Sequence, residues 1–289
     1  MNPLTVTWAP NIFTEIGWNN FQGLIKSGLP NILGSADGRV HRRLTRDALI
    51  EMGEPFQPFI YGQYNYPVKI AVENNISVMM YGENGEVEYG GSDETKYIPT
   101  FDSLYERRVY LEDGYEKVLK NIDVDDSKLH FFRFPEESEL KNIILTHWSY
   151  FDPWDSYRNY VVAKEHCGLK EKEFSNTGTF TNFAQNDQAF YAIHTYMMYL
   201  KFGFGRATQD AGIEIRRGSM DRDQALNLVR LYDNSYPEEF LHTYLDYYQM
   251  TQDEFDSTID KWANKNLFEK INDRWTPKFR VGEPFSLCE

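Results

Sequence analysis

The feature that most constrains the fold of this chain is an alternation of short apolar strands with amphipathic helices, followed by helices alone. Strands are predicted at 4–8, 31–34, 76–81 and 142–147, and helices at 14–27, 40–52 and 66–74. Such alternation, with helices of roughly 10–15 residues, is typical of a parallel sheet of the doubly wound kind. The sequence therefore predicts an α/β fold over the first half of the chain.

The second half of the chain carries apolar residues at the spacing of a helix only. Helices are predicted at 156–166, 187–202, 222–232, 238–248 and 253–264. Thr251 to Glu254 form a capping-box pattern at the start of the last helix. We therefore assign residues 1–155 to an α/β domain with a lid-like insertion at about 92–130, and residues 156–289 to a helical C-terminal region.

Charge and cysteine content exclude several classes of function. The chain has 44 acidic and 30 basic residues, a net charge of −14, which would repel a nucleic-acid backbone. Its two cysteines, Cys167 and Cys288, provide neither a disulfide framework nor a cysteine-rich zinc site. No apolar run is long enough to span a membrane. We expect a cytoplasmic protein with no nucleic-acid partner and no membrane span.

Polar residues follow three of the predicted strands. In doubly wound sheets ligands bind beyond the carboxyl ends of the strands, which here means Trp8–Asn11, Gly82–Glu86 and the segment from His147 to Trp154. Glu83 and Glu86 could supply oxygen ligands to Mg²⁺, or the segment could be an ordinary polar turn. His147 could act in catalysis or have a structural role.

The most polar dense segment spans residues 203–218. Arg206, Asp210 and Glu214 are spaced by four residues and share one face if the segment is helical. A solvated salt-bridge ladder would explain the same spacing. The flanking Gly203 and Gly205 favour a close approach to a ligand, so we expect Arg206 to be an exposed fork for an anionic group.

Several stretches of the sequence resemble one family, the N-acetyl sugar amidotransferases. The stretches are Asn2–Asn11, Thr14–Trp18, Pro55–Phe59, Tyr81–Gly90, Gly178–Ala184 and Lys201–Gly218. The resemblance implies a PP-loop ATPase fold (adenine nucleotide alpha hydrolase-like), here a parallel sheet incomplete at its N-terminus and followed by helices. It also implies a role in lipopolysaccharide O-antigen or pseudaminic acid pathways.

The resemblance implies a reaction as well. ATP, with Mg²⁺, would activate the N-acetyl group of a nucleotide-activated sugar, and ammonia from a glutaminase partner would convert that group to an acetamidino group. By position, Thr7, Trp8 and Gly82 would contact ATP. The other implied site residues are Glu83, Asn84, Arg206 and Asp210 in catalysis, and His147, Glu214 and Arg216 in binding the sugar nucleotide.

The chain departs from the family pattern in one respect. Family members ordinarily carry paired Cys-x-x-Cys motifs and a Ser-Gly-Gly-x-Asp-Ser loop that holds pyrophosphate, and this sequence contains neither. The resemblance implies that the missing strand before that loop would lie between the strands at 4–8 and 76–81, as in a truncated family member. We therefore expect no AMP formation by these 289 residues alone.

Two alternatives remain open on the sequence. One is a non-catalytic protein that binds a sugar nucleotide or a glutaminase partner. The other is a tRNA-modifying PP-loop enzyme, which the net charge of −14 disfavours.

Overall fold

The computed structural model describes residues 2–85, 97–102, 104–105, 107, 119, 123–140 and 142–285. The chain divides into two compact units. The first comprises Met1–Asn11, Asn20–Thr45 and Gln57–Leu169, and the second comprises Ile12–Asn19, Arg46–Phe56 and Lys170–Glu289. The sequence-based division into residues 1–155 and 156–289 stays a prediction.

The elements up to residue 169 alternate between strands and helices. In chain order they are β1 (Thr5–Trp8), α1 (Glu15–Lys26), β2 (Asn31–Gly34), α2 (Gly38–Met52), α3 (Gln57–Glu73), β3 (Val78–Tyr81), β4 (Phe101–Asp102), two 3₁₀ helices (Asp126–Phe132 and Glu137–Glu139), β5 (Ile144–His147), α4 (Trp148–Phe151) and α5 (Ser156–Cys167). The four predicted strands are all present.

The strands of the first unit form two small sheets that each contain a parallel pair. β1 pairs with β2 in the register Thr5↔Asn31, and β3 pairs with β5 in the register Tyr81↔His147. β4 lies antiparallel on the other side of β5. The fold is therefore mixed α/β. None of the described strands hydrogen-bonds to both β1 and β3, so the two sheets are separate at the place where the family resemblance puts a missing strand. A PP-loop sheet stays a prediction.

Helix α3 corrects the predicted helix at 66–74. It begins at Gln57, so Pro58 lies in the first turn and Pro67 lies inside the helix. Pro67 has no N–H to donate to the carbonyl of Gln63, which ordinarily weakens a helix. The helix continues because it is packed along its length, and buried side chains occur on both sides of Pro67.

One part of the core of the first unit lies where α3 meets β1, and another lies where Val68 and Ala71 of α3 pack with Met79 and Leu145 of the second sheet. The Trp8 side chain lies on Gly62, where a Cβ atom would be 1.9 Å from the ring. The ring also packs against Tyr66 and Phe132, at centroid distances of 5.5 and 6.0 Å. Only glycine fits at position 62, and the close contact places β1 directly on α3.

The second unit is mainly helical. Its elements after residue 169 are α6 (Phe190–Phe202), α7 (Arg206–Arg216), α8 (Arg222–Tyr232), a 3₁₀ turn (Glu238–Phe240), α9 (Leu241–Tyr248), α10 (Gln252–Trp262), β6 (Phe268–Ile271) and β7 (Arg274–Pro277). Phe190, Tyr248 and Phe255 are fully buried in its core. The predicted helices and the capping box of Thr251 and Glu254 are confirmed.

The β6–β7 hairpin was not anticipated from the sequence. Its two-residue turn consists of Asn272 and Asp273, both with positive φ, which suits a tight hairpin connection. The lid-like insertion predicted at about 92–130 lies largely outside the described residues. Within the described part of the chain, no helix combines the length and the apolarity needed to cross a membrane.

Candidate functional site

The carboxyl ends of β3 and β5 bring two predicted site segments together. Because Tyr81 pairs with His147, the Gly82–Asn84 segment follows β3 beside the end of β5. Glu83 is exposed, whereas Asn84 and His147 are buried. Glu86 lies outside the described residues, so a Mg²⁺ site at Glu83 and Glu86 stays a prediction. Within the described part of the chain, no group of three or more His, Cys, Asp or Glu side chains could hold a metal ion.

Two buried polar atoms at the end of β5 lack a hydrogen-bond partner. They are Nδ1 of His147 and Oγ of Ser149. Burial lowers the pKa of His147, which favours the neutral imidazole. Unsatisfied buried polar atoms are uncommon in folded proteins and are often explained by a ligand or ordered water. This edge of the sheet is therefore suited to accept a polar ligand.

Thr7 and Trp8 of β1, which were expected to contact ATP, lie in surroundings that differ from each other. Oγ1 of Thr7 accepts a hydrogen bond from Nδ2 of Asn31 at 2.9 Å. Trp8 is only 6% exposed, because its ring belongs to the core of the first unit. The structure thus gives Trp8 no open ring face for adenine, and contacts from Thr7 or Gly82 to ATP stay predictions.

Arg206 is an enclosed side chain, not the exposed fork expected from the sequence. Only 12% of its side chain is exposed, and Nε donates to Oδ1 of Asp210 at 2.8 Å. Nη1 donates to the hydroxyl of Tyr191 at 3.1 Å. The guanidinium also lies 2.6–3.3 Å from the amide oxygen of Gln185, in the orientation that gives this oxygen a donor. Arg206 therefore holds Tyr191 and Gln185 in place.

The glycines beside Arg206 approach groups of the same chain. Gly203 ends α6 with a φ of 82°, and a Cβ there would lie 3.0 Å from Leu267. Gly205 starts α7, where a Cβ would lie 2.8 Å from Oδ1 of Asp233. The expectation that these glycines admit a ligand is not supported by the structure, because internal side chains occupy the space.

Asp233 occupies the N-terminus of α7. One carboxylate oxygen accepts the N–H of Gly205 at 3.0 Å, and the other accepts the N–H of Thr208 at 3.1 Å. Burial raises the pKa of Asp233, although these hydrogen bonds act in the opposite direction. The helix start is a common place for an anion, and here a carboxylate of the chain itself fills it.

The C-terminal end of α7 carries a separate ion pair. Glu214 accepts from Nη1 of Arg217 at 2.8 Å, and its carboxylate also accepts a hydrogen bond from Ser219. Arg216 is exposed. Arg206 therefore pairs with Asp210, and Glu214 pairs with Arg217. Glu214 and Arg216 are the predicted sugar-nucleotide residues at this end of the helix. Their binding role stays a prediction.

A cavity of about 410 Å³ lies within the second unit, in the size range of about 300–1,000 Å³ that is usual for small-molecule sites. It is formed by the start of α1, the irregular segment before α6, the first turn of α6 and residues 239–243. The side chains that can bind a ligand there are Phe13, Thr14, Glu15, Lys172, Asn176, Gln185, Asn186, Gln188, Tyr191, Glu239, Phe240 and Thr243. Four of these side chains are carboxamides.

The irregular wall of this cavity is fixed by its own asparagines. Nδ2 of Asn176 donates to Oδ1 of Asn186 at 2.7 Å, and Nδ2 of Asn186 donates to the carbonyl of Asn182 at 2.8 Å. Oγ1 of Thr14 donates to the carbonyl of Asn186 and also caps α1 by accepting the N–H of Gly17 at 2.9 Å. The cavity wall is thus preformed, with its amides already oriented.

One carboxamide in the wall is not satisfied by the chain. Gln188 is 2% exposed, and its Oε1 has no hydrogen-bond partner. Its Nε2 makes one long contact of 3.4 Å with Asp187. Gln188, Gln185 and Asn176 were not predicted as site residues from the sequence. The signal that could have found them is the concentration of Asn and Gln between residues 176 and 188, a stretch where polar amides do not serve a helix.

A second feature missed from the sequence is a paired histidine and glutamate on α6 and the end of α2. Nδ1 of His194 lies 2.7 Å from Oε1 of Glu54. Burial would raise the pKa of Glu54, but the charges of His194 and Lys201 and the hydrogen bond from His194 lower it. Tyr191 packs edge-on against His194 at 5.6 Å, so one tyrosine contacts both this pair and Arg206.

A comparison with protein-family models found a match to most of the second unit. Residues 177–280 match the model of the LPS biosynthesis protein WbpG-like, C-terminal domain. The match supports a WbpG-like family of lipopolysaccharide biosynthesis. It covers less than half of the chain. The comparison with curated proteins returned no match.

The matched region includes much of the cavity. Gln185, Gln188, Tyr191 and Arg206 all lie within residues 177–280, as do residues 239–243. The start of α1 and Lys172 lie outside it. The region similar to the LPS biosynthesis family therefore contains part of the polar cavity, while Asn176 also lies outside it.

Proposed function

We propose that this protein acts in lipopolysaccharide biosynthesis as an ATP-dependent sugar amidotransferase. The observation that carries the proposal is the match of residues 177–280 to the WbpG-like family, over a region that includes Gln185, Gln188 and Tyr191 of the polar cavity. The sequence resemblance to N-acetyl sugar amidotransferases extends through Lys201–Gly218 and supports the reaction class. The substrate is a nucleotide-activated sugar that carries an N-acetyl group.

The reaction replaces the carbonyl oxygen of the acetamido group by nitrogen. An amide oxygen is a poor leaving group, so it first attacks the α-phosphorus of ATP and releases pyrophosphate. Ammonia then adds to the activated carbon, gives up a proton, and expels AMP, which carries away the acetyl oxygen. The products are the acetamidino sugar, AMP and pyrophosphate, with Mg²⁺ screening the phosphates.

The proposed roles of the residues follow their surroundings. Glu83, Asn84 and His147 lie at the carboxyl ends of β3 and β5, and we assign them to the activated phosphate and the substrate. Arg206 and Asp210 act as positioning residues, because their ion pair supports Tyr191 and Gln185 at the cavity. Their effect on catalysis is therefore indirect.

ATP chemistry on a PP-loop sheet requires the loop that holds pyrophosphate. The 289 residues contain no Ser-Gly-Gly-x-Asp-Ser segment. We propose that the strand preceding such a loop belongs between β1 and β3, which no described strand connects. AMP formation then needs that segment in addition to these 289 residues.

Ammonia is proposed to come from a glutaminase partner. Nothing in the sequence around Cys167 or Cys288 resembles the nucleophile turn of a glutaminase. The enzyme should therefore use ammonium salts directly, and should use glutamine only when the partner is present. Hydrolysis of glutamine by the isolated protein would contradict this assignment.

The test is an oxygen-transfer assay with a substrate labelled by ¹⁸O in its acetyl carbonyl. The protein, supplied with a loop-bearing segment, ATP, Mg²⁺ and ammonium, should place ¹⁸O in AMP and yield the acetamidino product by mass spectrometry. The 289 residues alone should give neither. Labelled phosphate, ADP as the product, or AMP formed without any loss of ¹⁸O from the sugar would refute the proposed reaction.

A second function is favoured by one observation. The cavity is complete within the described residues, whereas the sequence lacks the pyrophosphate loop. A protein that binds a sugar nucleotide without turning it over would have these properties. Tight binding of the sugar nucleotide with no AMP formation, even when the loop-bearing segment is supplied, would favour this alternative.

A further inference from the structure

We propose that the 410 Å³ cavity of the second unit is a carbohydrate site, which binds the uncharged sugar moiety with Gln188 as its buried anchor. The site itself is argued from its geometry. The choice of an N-acetylated sugar as the ligand rests on the proposed function.

Carboxamides match the hydrogen-bonding groups of a sugar. Each hydroxyl of a sugar can donate and accept, and each Asn or Gln side chain also presents both a donor and an acceptor. Asn176, Gln185, Asn186 and Gln188 all line the cavity. Asn176 and Asn186 are oriented by their hydrogen bond to each other, and Gln185 by Arg206. A ligand therefore meets amides that have already lost their conformational freedom.

Gln188 supplies independent evidence that the cavity binds a ligand. Gln188 lines the cavity, is 2% exposed, and has an Oε1 without a hydrogen-bond partner. Burying an amide oxygen without a hydrogen bond lowers the free energy of unfolding, so this acceptor destabilises the fold when no ligand is bound. A hydroxyl or N–H group of a ligand would satisfy it once the amide turns toward the cavity.

The charges at the cavity favour an uncharged moiety. Among its lining residues, all of which are described, Lys172 carries the single positive charge. Its Nζ lies 3.1 and 3.0 Å from the two carboxylate oxygens of Glu239, another lining residue. Glu15 adds a further carboxylate. A phosphate inside the cavity would meet more negative than positive charge, so the phosphates of a sugar nucleotide should remain outside.

Aromatic rings complete the arrangement. Phe13, Tyr191 and Phe240 line the cavity together with the amides. The C–H face of a pyranose is apolar, and sites that combine a few polar groups with aromatic walls suit ligands with one apolar and one polar face. The combination of oriented carboxamides, aromatic rings and a neutralised cation indicates a sugar and disfavours a nucleotide phosphate.

The test is calorimetric titration of the protein with UDP-N-acetylglucosamine, with UDP, and with free N-acetylglucosamine as probes. Gln188→Leu should weaken binding of the two sugar-bearing probes at least tenfold. Its melting temperature should stay the same or rise, because the substituted amide oxygen had no partner in the protein. Gln188→Met, an unbranched side chain of similar length, should behave in the same way and guards against a packing defect in the leucine variant.

A matched control comes from the second cavity of the same unit, of about 480 Å³, where Gln252 lies beside Asp256. Nε2 of Gln252 donates to Oδ1 of Asp256 at 2.9 Å. Gln252→Leu should leave affinity for the sugar probes unchanged. If Gln252→Leu weakens binding and Gln188→Leu does not, the sugar binds in the second cavity and the proposal is wrong.

Other results of the binding and product assays also test the carbohydrate assignment. Failure of every sugar-bearing probe to bind, or equal binding of UDP alone with equal sensitivity to Gln188→Leu, would overturn the carbohydrate assignment. Sugar binding that depends on Gln188 in a protein that forms no acetamidino product would retain the site and reject the proposed reaction. Product formation that is insensitive to Gln188→Leu would retain the proposed reaction and reject the carbohydrate site.

Discussion

Asp233 caps helix α7 by accepting the backbone N–H of Gly205, at a distance of 3.0 Å. The same carboxylate accepts the N–H of Thr208 at 3.1 Å. The start of α7 therefore receives its negative charge from α8's C-terminal end, where Asp233 follows Tyr232. The glycines beside this helix start, Gly203 and Gly205, are required because other side chains of the protein pack against them. Asp233 occupies the place at the helix start that a bound anion would otherwise take.

The first prediction concerns this cap. Asp233→Ala removes the carboxylate oxygens that accept the backbone N–H groups of Gly205 and Thr208, and should lower the free energy of unfolding by about 1–3 kcal/mol. Asp221→Ala, which removes the exposed cap of α8, is the matched control and should cost about 0.5–1 kcal/mol. Urea unfolding measures both. If the two variants lose the same free energy of unfolding, the burial of Asp233 does not make its cap more stabilising than an exposed cap.

The second prediction concerns the contact that closes the cavity wall. A Cβ at Gly17 would lie 2.3 Å from the carbonyl oxygen of Asp187, so Gly17→Ala must displace backbone. We expect a loss of roughly 1–3 kcal/mol in stability, together with weaker binding of sugar probes. Gly38→Ala is the control, because nothing lies within 4 Å of a Cβ at that helical position. A melting temperature of Gly17→Ala equal to that of Gly38→Ala would contradict the packing described here.

Most of the fold could be predicted from local pattern. The strands at β1, β2, β3 and β5 follow from short apolar runs, and the helices of the second unit follow from their apolar spacing. Helix α3 could not be placed correctly, because Pro67 marks a helix start in the sequence and only tertiary packing carries the helix through it. The short strand β4, which lies antiparallel to β5, was not predicted either, because strand neighbours depend on long-range contacts.

The candidate site was predictable only in part. The meeting of Gly82 and His147 at one sheet edge followed from parallel pairing, which the structure contains. The enclosure of Arg206 could not be read from its spacing to Asp210, since the same spacing fits an exposed ladder. Gln188 and the pair of Glu54 and His194 depend on contacts between distant parts of the chain, which no local pattern records.

The third prediction revises the role of Arg206. Arg206→Lys keeps the charge but cannot hold Asp210, Tyr191 and Gln185 at once, so it should destabilise the protein by about 1–3 kcal/mol. Sugar affinity should fall because two cavity side chains lose their support. Arg217→Lys, in the ion pair with Glu214 on the same helix, should leave sugar affinity unchanged. Lost affinity in Arg206→Lys with unchanged stability would instead indicate direct contact with the ligand.

The fourth prediction concerns His41, which is buried against Trp8 and Phe132. Burial lowers the pKa of His41 to about 4. Because the unfolded state binds a proton near pH 6.5 and the folded state resists it, stability should fall by on the order of 3 kcal/mol between pH 7 and pH 4. His41→Phe should remove this part of the pH dependence, whereas His166→Phe, at an exposed position, should retain it. Identical pH profiles for wild type and His41→Phe would show that His41 is not buried as a neutral side chain.

The most direct measurement of the central claim is mass spectrometry of lipopolysaccharide sugars from the source strain and from a strain that lacks this protein. The account predicts an acetamidino sugar in the parent and the corresponding acetamido sugar in the deletion strain. The gene for the intact protein should restore the acetamidino group, and the Gln188→Leu version should restore less of it. Identical surface sugars in the parent and deletion strains would contradict the proposed function.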